Sequence, residues 1–164
     1  ISVGDICEAC GMSRKSFYYH FKDKYDLVNW IFYTEFIETI DAADIHSSLS
    51  LLNDVCTYFY RERTIYRSAL LIEGQNSFSS YFREVMTPLL LDVYHEVFTS
   101  DENSQFFVDF LTDAFLSAIV RWLTKEPNVT AKEFIDRMRS VFLSIAKVTL
   151  RTMEETQPPS SENE

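Results

Sequence analysis

Along most of the chain apolar positions recur every three or four residues, the period of helices that bury one face. The pattern predicts helices over about 2–10, 13–20, 24–41, 48–63, 64–73, 78–99, 104–125 and 130–155. No run alternates strictly, and of only three glycines two lie at positions 4 and 11. A sheet is therefore not expected, and the fold class is all-α. Segments 42–47 and 73–77 read as breaks, with Gly74 placed to end a helix. Pro88 falls inside 78–99 and is expected to kink or interrupt it. Thr130 and Glu133 have the spacing of a capping box for the last helix. The polar tail 156–164 has nothing to bury and is expected to be disordered.

Residues 11–24 depart from this generic picture. Gly11 can take the left-handed backbone that ends a helix, Ser13 can cap the next one, and Phe17 and Phe21 share its buried face. Asp23, with Asp26 three residues on, opens a third helix in the manner of a capping box. The middle helix then exposes Arg14, Lys15, Ser16 and Tyr19, a basic and hydroxyl-rich first turn of the kind that reads a major groove. An arginine there can grip guanine bidentately, for roughly 1–3 kcal/mol of discrimination. Candidate DNA-binding residues are Ser13, Arg14, Lys15, Ser16, Tyr18, Tyr19, His20 and Lys24. The last stands at a helix N-terminus, where a phosphate is favoured.

The run Ser13-Arg14-Lys15-Ser16-Phe17-Tyr18-Tyr19-His20-Phe21, with Lys24 and Leu27 after it, resembles the signature of TetR/AcrR-type bacterial regulators. The resemblance is close over about 35 residues and architectural beyond them. It implies a helix-turn-helix head on a helical body that dimerises and binds an effector. The chain opens on the helix before the turn, so the family's first helix is expected to precede Ile1. The expected division is a partial DNA-binding head with its linking helix at 1–45 and an effector-binding and dimerisation body at 46–155. Helix 24–41, with Leu27, Trp30, Ile31, Thr34 and Ile37 on one face, would link them mechanically. The segments Trp30-Ile31-Phe32 and Val120-Arg121-Trp122-Leu123 also look similar to the branch that includes activators of dihydroxyacetone kinase operons.

In helix 104–125 the polar residues Asp109, Thr112, Asp113, Ser117 and Arg121 share one stripe, and apolar residues cover the other faces. The last helix places Phe134, Met138, Val141, Phe142, Ile145 and Val148 at helical spacing. These two helices either fill a monomer's core or pack against their copies across a two-fold axis. The resemblance favours a homodimer, with Ala114, Ser117, Ala118, Trp122, Met138, Phe142 and Ile145 as candidate interface. It also implies an effector cavity near Tyr58, Tyr66, Phe78, Tyr81, Phe82 and Phe110, with Gln75, Asn76, Asp109 or Asp113 as polar anchors. An ordinary aromatic core is the other reading of the same residues.

Net charge is −10, but residues 1–25 carry four basic against three acidic groups, so that the head is +1 and the remainder −11. An acidic body repels phosphate at long range and turns the head toward it. Cys7, Cys10 and Cys56 are too few for a disulfide framework and fit a reducing cytoplasm. The Cys7-x-x-Cys10 pair lacks the further ligands of a zinc site and fits a packed inner helix face. No stretch approaches a membrane span. No phosphate loop, nucleophile elbow or zinc-protease motif occurs. Asp41, Asp44 and His46, or Asp92 with His95, would be the nearest thing to a metal cluster, without the Glu-x-x-His pairs of a di-iron bundle. The expectation is a cytoplasmic regulator without enzymatic activity or cofactor. It would bind palindromic double-stranded DNA as a homodimer, answer to a small-molecule or protein effector, and have no membrane partner. A helical interaction module that does not bind DNA is the alternative.

Overall fold

The computed structural model describes residues 1–40, 48–72, 74, 77–94 and 101–156. Among them there is no strand; the elements are α1 Val3–Ala9, α2 Arg14–His20, α3 Lys24–Glu35, a 3-10 turn Ile37–Thr39, α4 Ser48–Arg61, α5 Arg63–Ala69, α6 Phe78–Tyr94, α7 Asp101–Lys125 and α8 Ala131–Thr156. The expected breaks at 42–47 and most of 73–77, and the tail, lie outside the described residues.

α3 joins head to body by inserting a ring into the core. Phe32 is fully buried and its ring lies 5.2–6.1 Å from those of Phe36, Tyr58, Phe59, Tyr66, Phe78 and Phe82. The periodicity pointed to another face. Of the expected set Trp30 is 52% exposed, while Phe32 and Phe36 are the buried residues. Apolar side chains run almost all round this helix from Tyr25 to Tyr33, so spacing did not single out the inner face. The helix also ends at Glu35 rather than near 41. Phe36 leaves helical geometry (φ −121°, ψ −62°) as its ring turns into the core, and the Thr39 hydroxyl donates to the Phe36 carbonyl in the tighter turn that follows.

A second aromatic stack closes the other end. Trp122 of α7 lies parallel between Tyr60 of α4 and Phe134 of α8, and its indole N–H donates to the Val129 carbonyl at 2.8 Å. The predicted capping box opens α8. Thr130 accepts from the Glu133 N–H, and Glu133 accepts from the Thr130 N–H and hydroxyl. Pro88 does not interrupt α6. Pro88 and Glu84, whose carbonyl loses its helical donor, are both exposed, so water can take up the freed group. In α7 the expected polar stripe holds for Asp109, Asp113, Ser117 and Arg121, which are exposed. Thr112 instead faces inward at 1% exposure, its hydroxyl without a partner among the described residues.

Candidate nucleic-acid interface

The helix-turn-helix is assembled from local backbone chemistry. α1 starts in a full capping box, Ser2 accepting from the Asp5 N–H while Asp5 accepts from the Ser2 N–H at 2.7 Å. Donation from the Ser2 N–H, with the Ser2 hydroxyl beside it, holds the Asp5 carboxyl below its ordinary range. The helix ends in a Schellman motif. Gly11 sits at φ +63°, its N–H donates to Glu8, and the Met12 N–H donates to Cys7. That reversal delivers Ser13, whose hydroxyl accepts from the Ser16 N–H and starts α2. Phe17, 1% exposed, and the buried Cys7 lie on the inner faces of α2 and α1. Asp23 then caps α3 through the Tyr25 and Asp26 N–H groups, and Asp26 returns a bond to the N–H of Lys22, one residue before the cap.

This packing turns the outer face of α2 to solvent. Ser13, Lys15, Ser16, Tyr18 and Tyr19 line one shallow concave surface, with Tyr19 84% exposed. His20 stands edge-on to Tyr19. Arg14 folds back over α1, its guanidinium so near Gly4 that a Cβ there would come within 2.8 Å of it. Lys24 lies apart, donating to the Ile1 carbonyl at 3.0 Å and retaining two N–H donors. Five of the eight predicted DNA contacts thus share one surface, with His20 beside it, Arg14 folded over α1 and Lys24 apart.

The predicted effector residues do not come together around a cavity. Tyr58, Tyr66, Phe78 and Phe82 pack on one another and on Phe32. They fill the core. Tyr81 is half-buried, Phe110 is 60% exposed, and Asp109 and Asp113 face solvent, Asp113 paired with Arg83. Gln75 and Asn76 lie outside the described residues. The apolar cavity, about 310 Å³, sits elsewhere, between α4, α6, α7 and α8, and includes Leu51, Val55, Met86, Phe115 and Arg139. Of its lining the sequence marks only Phe142, and for the dimer interface. The signal available in the sequence was the overlap of inward positions on four separate helices, which no one helix displays.

Of the predicted interface residues, Ala114, Ser117, Phe142 and Ile145 are exposed, and Ala118 and Met138 are half-buried against the core. Trp122 is corrected: it is 2% exposed inside its ring stack and is a core residue of the subunit. Cys10 is also corrected. As the residue after α1 it is exposed, whereas Cys7 is buried. Cys56 is fully buried, which pushes its thiol up to about 12. All three cysteines are free, and among the described residues no three potential metal ligands come together. Asp41, Asp44, His46 and His95 lie outside those residues. No helix among the described residues is long and apolar enough to cross a membrane.

A turn closed by a left-handed glycine, a basic solvent-facing second helix and an all-helical body define a helix-turn-helix regulator. Comparison with known proteins agrees. Residues 1–31 match the family described as bacterial regulatory proteins, tetR family, and residues 47–144 match a transcriptional regulator C-terminal region of the same family. Among curated proteins, an HTH-type transcriptional regulator of Staphylococcus aureus strain USA300 is 25% identical over 154 residues, covering 87% of this chain and 82% of its own. One from strain MRSA252 is 24% identical over 153 residues with the same coverage. No solved structure gives a significant match. The chain belongs to the TetR family of transcriptional regulators and is a DNA-binding regulator, not an enzyme.

Proposed function

We propose that the protein acts in the cytoplasm as a homodimer that grips a palindromic operator, with an effector held in the body setting the affinity. The observation that carries this reading is the pair of unlike surfaces on one chain. The head offers the basic, aromatic face of α2. On α8 the apolar residues Val141, Ile145, Val148 and Leu150 are 52–66% exposed, and on α7 Phe106 and Phe110 are 74% and 60% exposed. Apolar surface of that extent marks an interface. Two such helices per subunit supply a four-helix contact across a two-fold axis, which would set two α2 helices at half-sites one or more turns apart. Residues 1–45 then serve as head and link, and 46–155 as effector and dimer body.

The link has a physical basis in α3. Glu35 on that helix accepts from the Tyr58 hydroxyl of α4 at 3.3 Å, and Tyr58 shares a 2.8 Å hydrogen bond with Tyr66 of α5. An effector that repacks the body moves these rings, and Phe32 with them, so the angle of the head follows. Its leverage is limited to its differential affinity for the two arrangements. The test is selection of genomic fragments on the immobilised protein followed by sequencing. Recovery of an inverted repeat with half-sites about one helical turn apart, or a multiple of it, is expected. Fragments without a shared motif contradict the reading.

A further inference from the structure

The cavity between α4, α6, α7 and α8 has a chemical character that narrows its occupant. Of its ten lining residues nine are apolar, among them Leu51, Val55, Met86, Phe115 and Leu143; the tenth is Arg139. Walls of this kind favour hydrocarbon over water. Its volume of about 310 Å³ holds on the order of ten non-hydrogen atoms, at the roughly 30 Å³ each that a water occupies in the liquid.

Arg139 adds the second constraint. It is exposed and, among the described residues, makes no ion pair, while its helix neighbours Lys132 and Arg137 are paired with Asp136 and Glu126. A guanidinium presents a planar fork that matches a carboxylate bidentately. The net negative charge of the body opposes an approaching anion, but that field is screened beyond about 8 Å at physiological salt, and contact with Arg139 is made well inside that distance.

We propose that the cavity binds a medium-chain carboxylate amphiphile of about ten non-hydrogen atoms, hydrocarbon inward and carboxylate on Arg139. This rests on the reading of the body as an effector domain and names the class of effector. The direct test is calorimetric titration of the protein with octanoate and with its neutral isostere octanamide. Octanoate is expected to bind once per subunit and about tenfold more tightly than octanamide. Arg139→Gln, a surface change, should erase that preference and leave octanamide unaffected. Leu90→Trp, which fills the cavity, should weaken both, with circular dichroism verifying the fold of each variant. Equal binding of the two ligands, no binding of either at millimolar concentration, or a preference that survives Arg139→Gln would overturn the proposal. A parallel operator titration separates the two levels. Octanoate that binds as described yet leaves operator affinity unchanged supports the ligand class and refutes the effector reading, whereas operator binding without octanoate binding refutes only the ligand class.

Discussion

At the scale of single residues, the head shows how far backbone chemistry alone sets the exposed face of α2. Gly11 is the position where composition is dictated: at φ +63° any residue with a Cβ pays roughly 1–2 kcal/mol, and both Schellman hydrogen bonds depend on that geometry. Around it the basic residues divide by role. Arg14 rests over Gly4 with its side chain exposed, whereas Lys24 sits at the junction with α3. Anisotropy titrations should therefore separate them. Arg14→Ala is expected to cost cognate DNA about tenfold and scrambled DNA little. Lys24→Ala should weaken both alike and flatten the salt slope by about one unit. Equal losses for Arg14→Ala, or an unchanged slope for Lys24→Ala, would reverse these assignments. The sequence revealed this much because caps, turns and exposed charges are local, each settled within about four residues.

Elements obey less local rules, and α3 is the clearest case. Its inner face could not be read from spacing, because Trp30 and Phe32 are equally apolar and only the rings of α4, α5 and α6 choose between them. The Tyr58–Tyr66 pair was visible as two aromatics, but not as a hydrogen-bonded link to Glu35. Burial pushes the Tyr58 hydroxyl up to about 12 and Tyr66 further in the same direction. Because the fold raises these values, the neutral pair contributes stability fully below the ordinary tyrosine value of about 10 and loses it as pH climbs toward 12. Absorbance of tyrosinate should show at least two of the nine tyrosines ionising only together with alkaline unfolding. Ionisation of all nine near pH 10 with helicity intact would contradict this. Tyr66→Phe should cost about 1 kcal/mol in denaturant unfolding, the general value for one hydrogen bond. A change within error would remove the pair from the link.

The last helix makes a simpler prediction. Thr130→Ala should lower the melting temperature by roughly 2–4 °C through loss of the cap. The Thr130 N–H and hydroxyl hold the Glu133 carboxyl below its ordinary range, so its contribution is present above that range and lost as pH falls through the lowered value. The penalty for Thr130→Ala should accordingly shrink in acid. A penalty independent of pH would place the cap's contribution in the hydroxyl alone.

For the whole molecule the acidic body, the apolar outer faces of α7 and α8 and the basic α2 belong to one design. Fold class was legible, since periodicity, the scarcity of glycine and the lack of alternation all pointed to helices. The lining of the cavity was not, because a ring that lines a cavity and a ring that fills a core have the same spacing. Only the packing of Tyr58, Tyr66, Phe78 and Phe82 on Phe32 tells them apart. Trp122 fell between helices in the same way, reading as an interface residue until Tyr60 and Phe134 closed on it. The dimer is tested at this scale by Ile145→Asp, which sets a charge on the exposed stripe of α8. Sedimentation equilibrium should give twice the chain mass for the wild type and the monomer for the variant, with unchanged helicity. A wild-type monomer, or a variant that stays dimeric, would move the interface elsewhere.

The measurement closest to the central claim is fluorescence anisotropy of the protein on labelled DNA carrying the selected repeat, with a salt titration and a scrambled competitor. Saturable binding at two subunits per operator is expected, falling steeply with salt and resisting the scrambled competitor by about a hundredfold or more. Binding that the scrambled DNA displaces equally well, or its absence at low salt, would contradict a sequence-reading regulator.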